Sequence, residues 1–174
     1  MANQTPDVLS ELSDALTARA TTAARLVASI HTRRSRPLSA TLWRPDVIVA
    51  SEQVFPKTEA AEIALSDGRR IAARVAGRDC GTNIVALRRD TPTQLTQLPA
   101  AEPKLGGLVL ILGADPNGAP EVRLGIVHSL GPAWHSLAGG YIDRRITLDF
   151  LIGLAEEGGP VLDAGSNLLG MSEP

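Results

Sequence analysis

A chain of 174 residues fits one compact domain or two small lobes sharing an interface, and it is long enough to bury roughly 70% of its unfolded surface. Its composition, 44% hydrophobic, 21% charged and only 3% aromatic, leaves the core to Val, Leu, Ile and Ala, with Trp43 and Trp134 expected as its large fillers. A net charge of −2 without a basic, aromatic-bearing cluster excludes the footprint of a nucleic-acid binder, the lone Cys80 excludes an internal disulfide, and no apolar run approaches a membrane span.

The first 30 residues lack a basic segment followed by an apolar one, so a cytoplasmic chain is the expectation. The segment "TPDVLSELSDALTARATTAARL" reads as a helix of about four turns, with Thr5 as N-cap, Pro6 at the first helical position and Asp7 in the first turn. Val8, Leu9, Leu12, Ala15, Leu16 and Ala20 recur at helical spacing, which gives a face for docking on the body of the protein or on a partner. Residues 1–22 are assigned to this helical unit.

Short runs separated by turns follow: "RLVASIHT", "PLSATLWR", "DVIVAS", "EAAEIALS", "RRIAARVAG" and "NIVALRR". The fourth and fifth are joined by Ser66-Asp67-Gly68, a hairpin signal because glycine accepts the positive φ of a tight turn. Six such runs over residues 23–90 predict a small antiparallel barrel. Arg33–Arg34 and Arg144–Arg145 are expected at solvated strand ends. Residues 91–105, polar and proline-bearing, read as a connector between lobes. A second lobe over 106–174 offers "GLVLILG", "EVRLGIVHSLG", "YIDRRITLDF", "GPVLD" and "NLLGMS", five strands against six. The expected fold class is all-β: two antiparallel barrel lobes behind an N-terminal helix, the second lobe lacking its last strand.

Three stretches, "DVIVASEQVF", "IALSDGRRIAARVAGRDCGTNIVALRR" and "AEEGGPVLDAGSNLLGM", occur in the order and at the places of motifs in a known family. The chain resembles the trypsin/chymotrypsin-like serine proteases, in particular their HtrA-like bacterial branch, over about residues 23 to 173. On that frame Gln53 falls on the catalytic histidine, Asn83 on the aspartate and Glu157 on the serine. The intervals of 30 (83 − 53) and 74 (157 − 83) residues are of the size this branch uses. Ala155, Glu156 and Glu157 form the former oxyanion loop, with Ala155 where the family carries glycine.

The resemblance therefore implies a degenerate triad. A glutamine amide is not a base near neutral pH, so Gln53 cannot take the nucleophile's proton. Asn83 can hydrogen-bond Gln53 and keep the geometry polar. Glu157 puts a long carboxylate where a hydroxyl is required. Its side chain either folds into the loop's own N–H groups, or reaches Gln53 or a nearby arginine, or is merely a solvent-exposed replacement; the sequence leaves these open.

His31, His128, His135 and Cys80 show no metal-ligand spacing and read as structural, so no metal or cofactor is expected. Ser129 and Ser136 beside His128 and His135 are poor candidates for a hydrolytic pair, because strand neighbours point to opposite faces. Gly139–Gly140 and Gly158–Gly159 lack the strand-then-helix setting of a phosphate loop. Three functions follow. One is a catalytically inactive pseudoprotease that binds an active relative or another polypeptide in a homo- or hetero-oligomer, its open strand edge and N-terminal helix serving as docking surfaces. Another is an adaptor that holds extended peptide in the residual groove. The third is a hydrolase of another kind using Glu157 or Asp149 as base.

Overall fold

The computed structural model describes residues 7–32, 36–92, 94–95 and 97–173. Helix α1 spans Val8–Ala23 and is capped by Asp7, whose carboxylate accepts the Leu9 N–H at 3.2 Å. The cap is therefore Asp7 and not Thr5, which with Pro6 lies outside the described residues. A short side chain at the N-cap satisfies an amide that the helix cannot. A single 3₁₀ turn, Ala24–Leu26, then delivers the chain into the first sheet.

Six strands follow: β1 (Val27–His31), β2 (Leu38–Arg44), β3 (Val47–Ser51), β4 (Ala60–Leu65), β5 (Arg70–Asp79) and β6 (Ile84–Arg88). All pairings are antiparallel, and the order β1-β2-β3-β6-β5-β4 closes on itself through β1 and β4. The β4–β5 hairpin turns at Ser66-Asp67-Gly68 as its sequence predicts: Gly68 has φ +82 and donates its N–H to Leu65 O. The barrel interior is filled by Ala28, Ile30, Leu38, Ala40, Leu42, Ile48, Ala50, Ile63, Val85 and Leu87, with Phe55 its one fully buried ring. Trp43 and Trp134 are 39% and 45% exposed and do not fill the core. At these densities a closed barrel of this size has room for aliphatic chains and little else.

The second lobe contains β7 (Leu108–Ala114), β8 (Pro120–Gly131), β9 (Trp134–His135), β10 (Tyr141–Ile142), β11 (Arg145–Leu148), β12 (Pro160–Asp163) and β13 (Leu168–Met171). Five of these form one antiparallel sheet in the order β11-β8-β7-β12-β13. The run "YIDRRITLDF", read as one strand, is two: β10 turns back on β9 in a small separate hairpin, and β11 joins the sheet. This hairpin hooks onto the first lobe, where Ser136 Oγ donates to Gly81 O at 2.7 Å. A trypsin-like arrangement results, a six-stranded closed barrel beside a five-stranded half-barrel.

The lobes meet along β7. Its Leu110, Leu112 and Ala114 pack with Val27 of β1, Ala23 and Leu16 of α1, Leu162 of β12 and Leu98 of the connector. Its opposite face, Val109 and Ile111, lines the half-barrel with Val127 and Val161. A strand apolar on both faces is one covered on both faces, and "LVLIL" carries that signature. The docked part of α1 is its C-terminal half; Val8, Leu9 and Leu12 stay exposed. No described helix is long and apolar enough to cross a membrane.

Candidate functional site at the lobe junction

The first barrel presents a row of small hydroxyls to the second lobe. In β2, Leu38, Ala40 and Leu42 point into the barrel, so by strand alternation Ser39 and Thr41 point out. In β3 the same alternation turns Ile48 and Ala50 inward and Ser51 outward. All three hydroxyl residues are buried, because the loop 153–159 lies across them.

That loop is tied down peptide by peptide. Ser39 Oγ donates to Ala155 O at 2.5 Å and accepts the Ala114 N–H at 2.8 Å. Thr41 Oγ1 donates to Gly158 O at 3.0 Å, and Ser172 Oγ to Glu156 O at 2.5 Å. The N–H groups of Glu156 and Glu157 both donate to Gly153 O, at 3.1 Å each, while Gly158 N–H donates to Ser172 O and Gly159 N–H to Glu156 O. Amides of 156 to 159 are thus spent on carbonyls of the protein itself. A loop that stabilises a developing oxyanion needs such donors aimed at empty space.

The two carboxylates of the loop diverge. Glu156 turns into the half-barrel, where Oε1 meets Arg123 at 2.7 Å and Oε2 is buried with no hydrogen-bond partner. Arg123 also lies over the Phe150 ring, 4.9 Å from its centroid. Glu157 turns the other way and is only 3% exposed. Ser51 Oγ donates to Glu157 Oε1 at 3.0 Å, and Arg36 stands 3.8 Å from Oε2. Of the open alternatives for Glu157, the solvent-exposed one is wrong. The carboxylate takes neither its own loop's N–H groups nor Gln53; it takes a hydroxyl the sequence reading passed over, with an arginine at longer range.

Asn83 continues the chain of contacts. It is buried, sits in the left-handed region at φ 55, and its Oδ1 accepts the backbone N–H of Gln53 at 2.8 Å. That bond fixes which end of the amide is oxygen, leaving Nδ2 to donate to Ser51 Oγ at 3.2 Å. Gln53 and Asn83 are therefore joined, but through the Gln53 backbone and not through the two side chains; the Gln53 residue itself is exposed. Glu173 completes the cluster. Burial raises its carboxyl pKa, the neighbouring Glu157 charge raises it further, and a hydrogen bond with the Asn83 side chain acts in the opposite direction.

The remaining candidates do not join this cluster. Asp149 Oδ1 accepts the Ile126 N–H at 2.9 Å, an ordinary backbone tie. His135 stacks at a tilt on Tyr141, and His128 is exposed. Ser136 binds Gly81 O, and no group of three or more potential metal ligands occurs among the described residues. Gly139 has φ +86 in the turn between β9 and β10, and Gly158 has φ +90 where a Cβ would lie 2.4 Å from Ser39 O. The second position demands glycine for lobe packing, not for phosphate.

Comparison with known proteins follows the same lines. Residues 38–171 match the family model described as a trypsin-like peptidase domain. Among curated proteins, the chain is 27% identical over 129 residues to the periplasmic pH-dependent serine endoprotease DegQ of Escherichia coli (strain K12), covering 72% of this chain and 28% of that relative. It is 26% identical over 129 residues to the periplasmic serine endoprotease DegP of the same organism, 72% of this chain and 27% of that one. The chain thus spans little more than a quarter of these relatives. Among solved structures, Deg5 superposes with a TM-score of 0.78 at 19% identity, over 92% of this chain and 85% of that one. The MamO protease domain from Magnetospirillum magneticum in its apo form gives 0.68 at 20%, over 86% and 84%. Both likenesses concern the fold.

Proposed function

Since this chain belongs to the family of trypsin-like peptidase domains, we propose that it is a member without peptidase activity, a binding subunit whose partner is another polypeptide. The observation that carries this reading is the Glu157 carboxylate, buried and hydrogen-bonded to Ser51 at the position where the family motif places its nucleophile. A carboxylate there cannot take the place of the serine hydroxyl in acyl-enzyme formation, and Gln53 supplies no general base for a hydroxyl or a water. Loss of such a triad costs on the order of a million-fold in rate. Within the former oxyanion loop, the amides of Glu156 and Glu157 are already bonded to Gly153 O, which leaves fewer donors to stabilise a tetrahedral intermediate.

The scaffold that remains is well packed, and its polar junction is satisfied by internal hydrogen bonds apart from isolated atoms such as Glu156 Oε2. Such an arrangement suits a protein retained for shape. Incubation of the purified chain with an unfolded protein substrate and with a serine-directed phosphonate label tests the reading. Expected are no cleavage above that of the heat-denatured chain and no label incorporated. Cleavage that Glu157→Ala abolishes would overturn it and favour a hydrolase built on the carboxylate.

A further inference from the structure

The inward face of β6 ends in a charge. Val85 and Leu87 fill the barrel and are fully buried. Two residues on, by the same alternation, Arg89 turns inward at the barrel's end and is only 5% exposed. Its backbone N–H donates to Asp46 O in the β2–β3 turn at 3.1 Å, and the connector returns to lay Leu95 against the same core. In the side chain, Nε donates to Thr91 O at 2.5 Å, while Nη1 is buried and has no acceptor.

An arginine stays charged near neutral pH, and burying that charge is costly unless an anion meets it. The carboxylates at this end of the barrel are engaged elsewhere. Asp46 faces Arg88 at 3.5 Å, Asp90 takes Arg74 through both oxygens at 3.1 Å, and Asp67 takes Arg69 at 2.7 Å. Among the described residues, no carboxylate forms an ion pair with Arg89, so four arginines share three carboxylates and the one left over is the buried one. Arg44, exposed at the end of β2, adds a further positive charge. Burial, then repulsion by the Arg69 charge, lower the Arg89 pKa, and attraction to Asp67 only partly offsets them. Two guanidinium groups that repel each other, one with a bare N–H in the interior, form an arrangement that a bound anion relieves. Since Thr91 takes the Nε side of the fork, a ligand meets the Nη end, whose paired N–H groups fit two oxygens.

We propose that Arg89, with Arg69 beside it, forms a site for a small tetrahedral oxyanion, phosphate or sulfate, at the end of the first barrel. Such an anion presents two oxygens to the Arg89 fork and keeps others for Arg69, which a planar carboxylate does not. Bound there, it ties the exit of β6 to the β4–β5 turn. The site is remote from Glu157, which meets Ser51 at the opposite end of β3, and it does not depend on whether the chain cleaves peptides.

Thermal melts of the full chain in sodium phosphate and in sodium chloride of matched ionic strength test this. The midpoint is expected to rise saturably in phosphate, by about 4 °C once the anion stands about tenfold above its Kd, and not in chloride. Phosphate also stabilises folded chains by exclusion from their surface, but that rise does not saturate and Arg89→Gln keeps it. Arg89→Gln loses the saturable part, and Arg69→Gln, at an exposed position, raises the phosphate Kd several-fold. A second readout needs no substitution of the buried residue: in the ¹⁵N-labelled wild-type chain, an arginine Nε resonance shifts saturably on titration with phosphate, with the same Kd. The proposal is overturned if phosphate acts alike on the wild type and Arg89→Gln, if chloride matches phosphate, or if no arginine side-chain resonance shifts. An unchanged Kd in Arg69→Gln would overturn the sharing of the anion between the two arginines.

Discussion

Ser51 Oγ lies 3.0 Å from Glu157 Oε1 and bridges the two lobes with the only hydrogen it has to give. Asn83 Nδ2 donates to the same hydroxyl from its other side. Removing the hydroxyl by Ser51→Ala leaves a buried carboxylate facing Arg36 at 3.8 Å, itself substantially exposed. An unsatisfied buried acceptor of this kind costs about 2 kcal/mol. Glu157→Gln, which keeps an oxygen acceptor for Ser51, costs less. Urea denaturation of both variants checks the order; equal stability of Ser51→Ala and wild type would show that the contact does not hold the lobes.

Restoring the three family residues together, Gln53→His, Asn83→Asp and Glu157→Ser, is expected not to restore hydrolysis. The triad geometry would be available, since Asn83 already accepts the backbone N–H of residue 53. The amides of 156 and 157, however, donate to Gly153 O, and loss of even one oxyanion donor costs about a hundred-fold or more in kcat. A peptide hydrolysis assay with phosphonate labelling reads this. Rates within tenfold of an intact relative would mean that the loop turns its amides outward once Glu157 is gone.

The sequence made the barrel strands visible through alternation, and the hairpin through Asp67-Gly68, because both are local signals. The positions of Gln53, Asn83 and Glu157 were legible through spacing within motifs. What was not legible was the company they keep. Ser39, Thr41 and Ser51 look like the wet face of a half-buried strand, and only the arrival of a loop more than a hundred residues away in sequence makes that face an interior. Trp43 and Trp134 were misplaced for the complementary reason. Size suggested burial, but a barrel closed by Leu, Ile, Val and Ala leaves no space for an indole. Arg36 and Glu173 carried no pattern at all.

Two carboxylates should give stability profiles of opposite slope. Asp163 is pushed up by burial, yet the Asn167 side chain, the N–H groups of Asn167 and Gly165, and the Lys104 charge outweigh that and hold it low. Its contribution is present above the unfolded-state pKa near 3.9 and is lost as pH falls through the lower folded value. Asp163→Ala therefore costs about 1 kcal/mol at neutral pH, and the gap to wild type closes below about pH 4. Glu173 is raised by burial and by Glu157. The folded state favours its protonated form, a preference fully present below the unfolded pKa and lost as pH rises through the folded one. Glu173→Gln should match wild type in acid and exceed it at neutral pH, by a small margin because the residue keeps solvent contact. Urea titrations from about pH 2 to about pH 7, a range that spans both carboxylates, decide it; parallel profiles would refute both assignments.

Gly158 and Gly68 share a left-handed backbone, at φ +90 and +82, but differ in surroundings. A Cβ at Gly68 meets nothing within 4 Å, whereas at Gly158 it falls 2.4 Å from Ser39 O. Gly68→Ala should therefore cost about 1 kcal/mol, the strain of the conformation alone. Gly158→Ala carries that strain and must also push the loop off β2, breaking the Thr41 bond to Gly158 O and loosening the Ser39 bond to Ala155 O. Its cost should reach about 3 kcal/mol, and the two variants should separate in thermal melts by several degrees. A Gly158→Ala chain as stable as Gly68→Ala would mean that the loop does not lie on the first barrel, and with it the burial of Glu157 against Ser51 would fall.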